Sequence, residues 1–313
     1  MTEKIKIECT YELLTEANLH LIPPLFKAAF KKHITLEQVI KKYNFSAMNQ
    51  PYLGLFAFHE GRPVAFIGIC YYIARYKGVE ELASNFTDSM VHPDYQGKNI
   101  YVKLLDQLKE VAKENGICFS LGFPNDNSFY PVVHKGKWLI AVNMVGFMIQ
   151  VKTLPLRRFC RRLGFEKNYL QWASKKLQPY VVPYHPDAFI QPAHHFHIVH
   201  DEVFFNYKQS PAHFLLKLAD EYVWIKLGTQ LAVEFIPEME ETKLLAVVNE
   251  LSRLAKKLYI QQVMLQFTTG ASQELILRKK YTFFESWPVL YSNQQSAFPP
   301  HELQIQYCDV DSF

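Results

Sequence analysis

One order of elements occurs twice in this chain, and it restricts the available folds more than any single motif does. In the first half, a run ending near His92 reads as a strand. A long amphipathic helix over 100–114 follows, then the strand "ICFSLGF", the short helix "NSFYPVVHK" and the strand "WLIAVNMVGFMIQV". The second half repeats this with "LAVEFIP", "TKLLAVVNELSRLAKKL", "QVMLQF", "SQELILRKKY" and "FFESWPVLYS". Ser128 and Ser272, like Lys135 and Lys279, stand 144 residues apart (272 − 128; 279 − 135). Self-similarity at that period predicts two related domains, and strands alternating with helices predict an α/β class (α+β with a mixed sheet). A chain of 313 residues accommodates two domains of about 150. The expected division is 1–150 and 193–313, joined by a connector over 151–192 whose prolines interrupt both periodicities.

The segments before the first repeat complete that half. Thr15 precedes apolar positions Leu19, Ile22, Leu25, Phe26 and Ala29, which predicts a helix that Pro23 and Pro24 kink or restart. Thr35 and Gln38 form a capping box for a second helix ending near Tyr43. "YLGLFAF" and "PVAFIGICYYIARY", joined by "HEGRP", predict a hairpin. A third strand is expected over about 82–92. In the long helix Ile100, Leu104, Leu105, Leu108, Val111 and Ala112 share one face, and Gly116 ends it.

Composition excludes some roles. A formal net charge of +4 is far below the basic bias of nucleic-acid binders, so no such partner is expected. Five scattered cysteines without C-x-x-C spacing read as reduced thiols, and no metal is expected. The opening "MTEKIKIECTYELL" has no apolar core of a secretory signal, and the longest apolar run, Ala65 to Ala74, is half a membrane span. A cytoplasmic protein without membrane attachment is expected.

The stretch "MVHPDYQGKNIYVKLL" carries the first chemical signal. At a helix start the leading N–H groups have no partner within the helix, and the macrodipole adds positive charge. The amides of Asn99, Ile100, Tyr101 and Val102, the bare backbone of Gly97 and the mobile cation of Lys98 together predict a cradle for a diphosphate.

This strand, loop and long helix, followed by a strand, "GFPNDNS" and a short helix, resemble the GNAT superfamily of acyl-coenzyme A-dependent N-acetyltransferases. The family's loop reads Gln or Arg, two residues, Gly, one residue, then Gly or Ala. Gln96 fills the first position and Gly97 supplies an additional glycine, while Asn99 and Tyr101 replace the two small residues. Asn is among the few side chains that tolerate left-handed φ. Tyr101 is bulky, and its ring is expected to point away from the ligand. The resemblance covers about residues 1–150. It implies acetyl-CoA as co-substrate, with Met90 and Val91 binding the pantetheine arm through their main chain and Asn127 seating the coenzyme. In the second copy "FIPEMEETKLL" offers Glu238, Glu240 and Glu241 and no glycine, which would repel a diphosphate. That half is expected to be a degenerate GNAT-like copy.

Acetyl transfer to an amine needs the thioester near the nucleophile, a route for the ammonium proton and an acid for the leaving thiolate. The resemblance places a base on or beside the strand that ends at the loop, where Asp88 is nearest, with Glu81 farther back and His92 at the strand's end. It places the acid about seven residues beyond the seating asparagine. That count reaches His134, with Tyr130 one turn earlier as the alternative; each also has a purely structural reading.

"HHFHIVH" raises a metal, but only His195 and His197 share a strand face, with Asp201 the nearest carboxylate. "LRRFCRRL" reads as a solvated amphipathic helix. The expected function is N-acetylation of a primary amine by direct attack in a ternary complex, on a small-molecule or peptide acceptor. "FFNYKQSPAHFLLK" is similar to a pattern in tandem GNAT proteins of polysaccharide biosynthesis, which puts an amino sugar first. A coenzyme-binding protein without catalysis and an aminoacyl transferase using charged tRNA are the other readings, and a homodimer is left open.

Overall fold

The computed structural model describes residues 7–310. In chain order the strands and helices are β1 (Thr10–Leu13), α1 (Ile22–Phe30), α2 (Leu36–Tyr43), β2 (Gly54–His59), β3 (Arg62–Tyr76), β4 (Val79–Val91), α3 (Ile100–Glu114), β5 (Phe119–Gly122), α4 (Asp126–Tyr130) and β6 (Leu139–Gln150). There follow α5 (Leu156–Arg162), α6 (Glu166–Leu177), β7 (Phe196–Ile198), α7 (Glu202–Lys208), β8 (His213–Leu218), β9 (Glu221–Leu227), β10 (Leu231–Phe235), α8 (Glu241–Lys257), β11 (Gln262–Thr268), α9 (Ser272–Arg278), β12 (Phe283–Asn293) and β13 (Leu303–Gln304). These form two compact units. Of the described residues, one comprises 7–74, 79–141 and 289–298, the other 75–78, 142–288 and 299–310.

In the first unit β1, β2 and β3 form an antiparallel meander. The hairpin turn is made by Glu60 (φ 50°) and Gly61 (φ 74°), the left-handed pair that matches strand twist. The predicted capping box is present: Gln38 N–H donates to Thr35 Oγ1 at 3.2 Å, and Thr35 N–H to Gln38 Oε1 at 2.9 Å. The two prolines restart a helix rather than kink one. A single 3-10 stretch over Glu16–Leu21 gives way to α1 with Pro in its first turn, where no helical N–H is lost. Leu19, Ile22, Leu25, Val39, Tyr43, Phe56, Phe66 and Met90 form a core of the unit.

β4 pairs with β5 in parallel, from Ala83↔Phe119 to Asn85↔Leu121. Beyond that point β4 continues to Val91 while β5 ends at Gly122, and the ring of Trp138 packs there, 5.1 Å from Phe86. A Cβ on Gly122 would lie 3.2 Å from the same indole, so a side chain there would require the ring to yield by a few tenths of an ångström. On its other edge β5 pairs antiparallel with Leu290–Asn293.

In the second unit β6, β11, β10, β9 and β8 are neighbours in that order, with β10 and β11 parallel and the other pairs antiparallel. α8 buries Leu244, Val247, Val248, Leu251, Leu254 and Ala255, the face its spacing predicts. The segment expected to be a connector is folded into this unit. α5 confirms the helical reading of "LRRFCRRL", and Tyr169, Ala173 and Leu177 of α6 stand in the unit's core. The prolines lie outside α6, so the interrupted periodicity hid a helix that tertiary burial stabilises. β1 and the β8–β9 hairpin were likewise absent from the sequence reading.

Candidate functional site

β4 and α3 meet at the loop that the sequence singled out. Gly97 (φ 75°) and Asn99 (φ 63°) both adopt the left-handed region, and Asn99 is the N-cap of α3. Asparagine at this position therefore does the conformational work of the missing glycine. The first bond of the helix runs from Lys103 N–H to Asn99 O at 3.4 Å, so the amides of residues 99–102 precede the helical ladder. Lys98 Nζ stands 4.9 Å from the centroid of the Tyr95 ring, and Gln96 Nε2 donates to Val91 O at 3.4 Å, tying the loop to the end of β4.

These elements wall a cleft of about 450 Å³ in the first unit. Met90, Val91, Gln96, Gly97, Lys98, Asn99, Ile100, Tyr101, Val102 and Asn127 all line it, so the predicted coenzyme-binding residues come together. The facing wall comes from the start of α4 and the turn after it. Asn125 caps α4 by accepting from the N–H groups of Asn127 (3.0 Å) and Ser128 (3.1 Å). Asn125, Ser128, Pro131 and Lys135 of that wall, and Ser89, Tyr95, Ala29 and Phe30, also line the cleft and were missed as site residues. Lys135 was legible only as half of the 144-residue spacing (279 − 135). The lining carries two lysines and no carboxylate.

Tyr101 is among the residues that line the cleft. Burial pushes the phenol above its usual pKa, so it stays neutral.

The candidate catalytic side chains are not on the cleft wall. Asp88 adopts left-handed φ (48°). Its carboxylate accepts from Lys42 Nζ at 2.9 Å and from the Tyr43 hydroxyl at 2.6 Å. Tyr130 and His134 are exposed, and their rings pack with centroids 4.5 Å apart and planes inclined by 36°, next to Lys135. Glu81 Oε1 accepts from Ala297 N–H at 3.4 Å, and His92 Nδ1 accepts from Asp94 N–H at 3.4 Å. On β4 itself, Asn85 Nδ2 and Oδ1 and Thr87 Oγ1 are buried without a hydrogen-bond partner among the described residues.

In the second unit Glu238, Glu240 and Glu241 lead into α8, whose N-cap is Glu240 in extended conformation, and no cradle of the first type forms. The histidine-rich segment is split. His197 Nδ1–H donates to His195 O at 2.9 Å, and burial lowers its pKa to about 4, leaving the ring neutral. His200 is buried against the end of the chain: Nε2–H donates to Asp309 Oδ1 at 2.6 Å, with Cys308 Sγ 3.6 Å away. These three offer ligand atoms within 4.8 Å of one another, a grouping the strand-face argument did not anticipate. Burial holds Cys308 well above the usual thiol pKa.

A parallel strand pair that parts beside a left-handed loop and a helix N-terminus gives an α/β unit whose cleft presents backbone N–H groups, a feature that suits an anionic group. Residues 10–133 match the family model of the acetyltransferase (GNAT) domain, and all of them except 75–78 lie in the first unit. No curated protein sequence matches the chain. Among solved structures, a conserved protein of unknown function from Enterococcus faecalis is similar with TM-score 0.64 and 10% identity, over 91% of this chain and 73% of that one. A GCN5-related N-acetyltransferase from Kribbella flavida gives 0.59 and 11% identity over 93% and 72%, and one from Anabaena variabilis 0.58 and 10% over 91% and 72%. At these identities the likeness is one of fold, and it extends over nine-tenths of the chain. Among the described residues no helix is long and apolar enough to cross a membrane.

Proposed function

We propose that this protein transfers an acetyl group from acetyl-CoA to a primary amine, by direct attack within a ternary complex. The observation that carries the reading is the cleft at the start of α3. Left-handed Gly97 and Asn99 present the amides of the first turn, Lys98 and Lys135 supply positive charge, and no carboxylate is on the wall. That chemistry favours a diphosphate. In this reading the main chain of Met90 and Val91 holds the pantetheine arm, and Asn127 approaches from the facing wall. An amino sugar is the first acceptor to try, then a peptide amine and a polyamine.

The test is a thermal melt with and without acetyl-CoA, beside a Gly97→Glu variant. Ligand at 100 times its dissociation constant stabilises the folded state by about 2.7 kcal/mol. A Cβ on Gly97 meets no heavy atom within 4 Å, so glutamate acts there through its charge and the strained φ rather than through a clash. A shift present in the wild type and lost in the variant supports the reading and licenses an amine screen. The absence of a shift at millimolar ligand removes its main support.

A second reading, a coenzyme-binding protein without turnover, is favoured by the placement of Asp88, Tyr130 and His134 off the cleft wall. It expects the same thermal shift with no acetylated product from any amine.

A further inference from the structure

Late in the chain, two neighbouring residues of the second unit bring donor atoms to one histidine. Cys308 and Asp309 belong to a single 3-10 turn over Tyr307–Asp309. His200 Nε2 lies 2.6 Å from Asp309 Oδ1 and 3.6 Å from Cys308 Sγ, and the donor atoms are all within 4.8 Å of one another. The three residues are 5%, 1% and 1% exposed, so water does not compete for them. Imidazole, thiolate and carboxylate at one point suit a divalent ion of borderline softness, above all zinc. Around a tetrahedral zinc such donors stand about 3.4–3.6 Å apart. The Sγ–Nε2 separation already has that value. The Nε2–Oδ1 separation opens by about 0.8 Å when an ion replaces the proton between the two atoms. One thiolate and one carboxylate neutralise a dication, which offsets the cost of burying it.

A second observation marks the same place. His200 and Asp309 line a cavity of about 20 Å³, room for one water. Thr268 lines it too and is 1% exposed, and its hydroxyl is without a hydrogen-bond partner among the described residues. We propose that His200, Cys308 and Asp309 form a zinc site in the second unit, with a water beside Thr268 as fourth ligand. On binding, the Cys308 thiol releases its proton to solvent, Asp309 binds as the carboxylate, and the proton on His200 Nε2 passes to Nδ1. Nδ1 stands 2.9 Å from the Gln191 amide. That amide turns over so that its oxygen accepts from Nδ1–H, giving up its 3.1 Å bond to Ile198 O. Gln191 then orients the ligand histidine from behind. The ion fastens residues 308–309 to the segment before α7, a structural role independent of the coenzyme reading.

The experiment uses the full chain. Mass spectrometry of the purified protein measures its zinc content, and cobalt(II) added after chelator treatment serves as a spectroscopic probe. About one zinc per chain is expected, with a cobalt spectrum showing tetrahedral ligand-field bands and a thiolate charge-transfer band. Cys308→Ser is expected to lose the charge-transfer band and at least about 100-fold in zinc affinity, since an outer-shell partner alone is worth 10–100-fold. Cys118→Ser, outside the site, is expected to keep both. Circular dichroism verifies folding; should Cys308→Ser fail to fold, Asp309→Asn carries the test through the same loss of affinity and a shifted ligand-field spectrum. A wild-type chain that holds no zinc and takes up none overturns the inference. So does a cobalt spectrum without the thiolate band, or one that survives unchanged in the site variants.

Discussion

Replacing Gly68 by alanine tests whether the floor beneath the cleft strand is packed as described. Gly68 pairs with Gly54 across the β2–β3 hairpin. A Cβ added to it would lie 2.3 Å from both Cε1 and the hydroxyl oxygen of Tyr43, and 2.6 Å from Cζ. Tyr43 has no exposed surface, packs edge-on to Phe66 with centroids 5.8 Å apart, and donates to Asp88 at 2.6 Å. The ring has to retreat by roughly 1 Å, an overpacking strain of about 1–3 kcal/mol. That movement also breaks a hydrogen bond to a buried carboxylate, which contributes about 1.5–3 kcal/mol. Gly68→Ala is thus expected to lower stability by roughly 3 kcal/mol or more, most of it absent in a Tyr43→Leu background, where the methyl group finds room. Equilibrium urea unfolding of the four proteins in this cycle reads both numbers, followed by a probe of the first unit because two units can unfold separately. A loss under about 1 kcal/mol in the wild-type background, or the same loss in both, would refute the packing argument.

Two further outcomes follow from buried polar groups. Asp88→Asn removes one partner of a buried ion pair, and about 2–4 kcal/mol of stability is expected to go with it, with acetyl-CoA affinity within threefold of wild type; a variant as stable as wild type but unable to turn over would assign Asp88 the removal of the amine proton. His197, neutral in the folded state because burial lowers its pKa to about 4, binds a proton more readily once unfolded. Stability is therefore full above pH 6.5 and falls toward pH 4, by at most about 3 kcal/mol. Urea midpoints between pH 7 and 4 should lose most of this slope in His197→Gln.

How far the sequence could be read depended on where its information was local. The capping box at Thr35 and Gln38, the restart at Pro23 and Pro24, the apolar stripe of α3 and its stop at Gly116 (φ 75°) are each decided within a few residues, and each is in the structure. The loop from Gln96 to Val102 belongs with them, because helix-end amides and left-handed backbone are properties of the chain itself. Even the substitution of Asn99 for glycine was legible, since φ tolerance depends on the side chain.

What escaped were features in which burial or distance decides. β1 shows little apolar alternation, with Thr10, Glu12 and Leu13 exposed, and exists because it pairs with β2. α6 was obscured by surrounding prolines, and packing alone shows its inward face. Asp88 looked like a base from its position, but whether a carboxylate faces a cleft or Lys42 and Tyr43 depends on a left-handed residue within β4 that no spacing announces. The sequence by itself determined the order of the main elements and the backbone geometry of the loop, since those follow from patterning and φ preference over short spans. Tertiary structure alone decided that residues 289–298 complete the first unit's sheet and that His200 meets Cys308 and Asp309, because contacts between distant residues are fixed by the core they jointly bury.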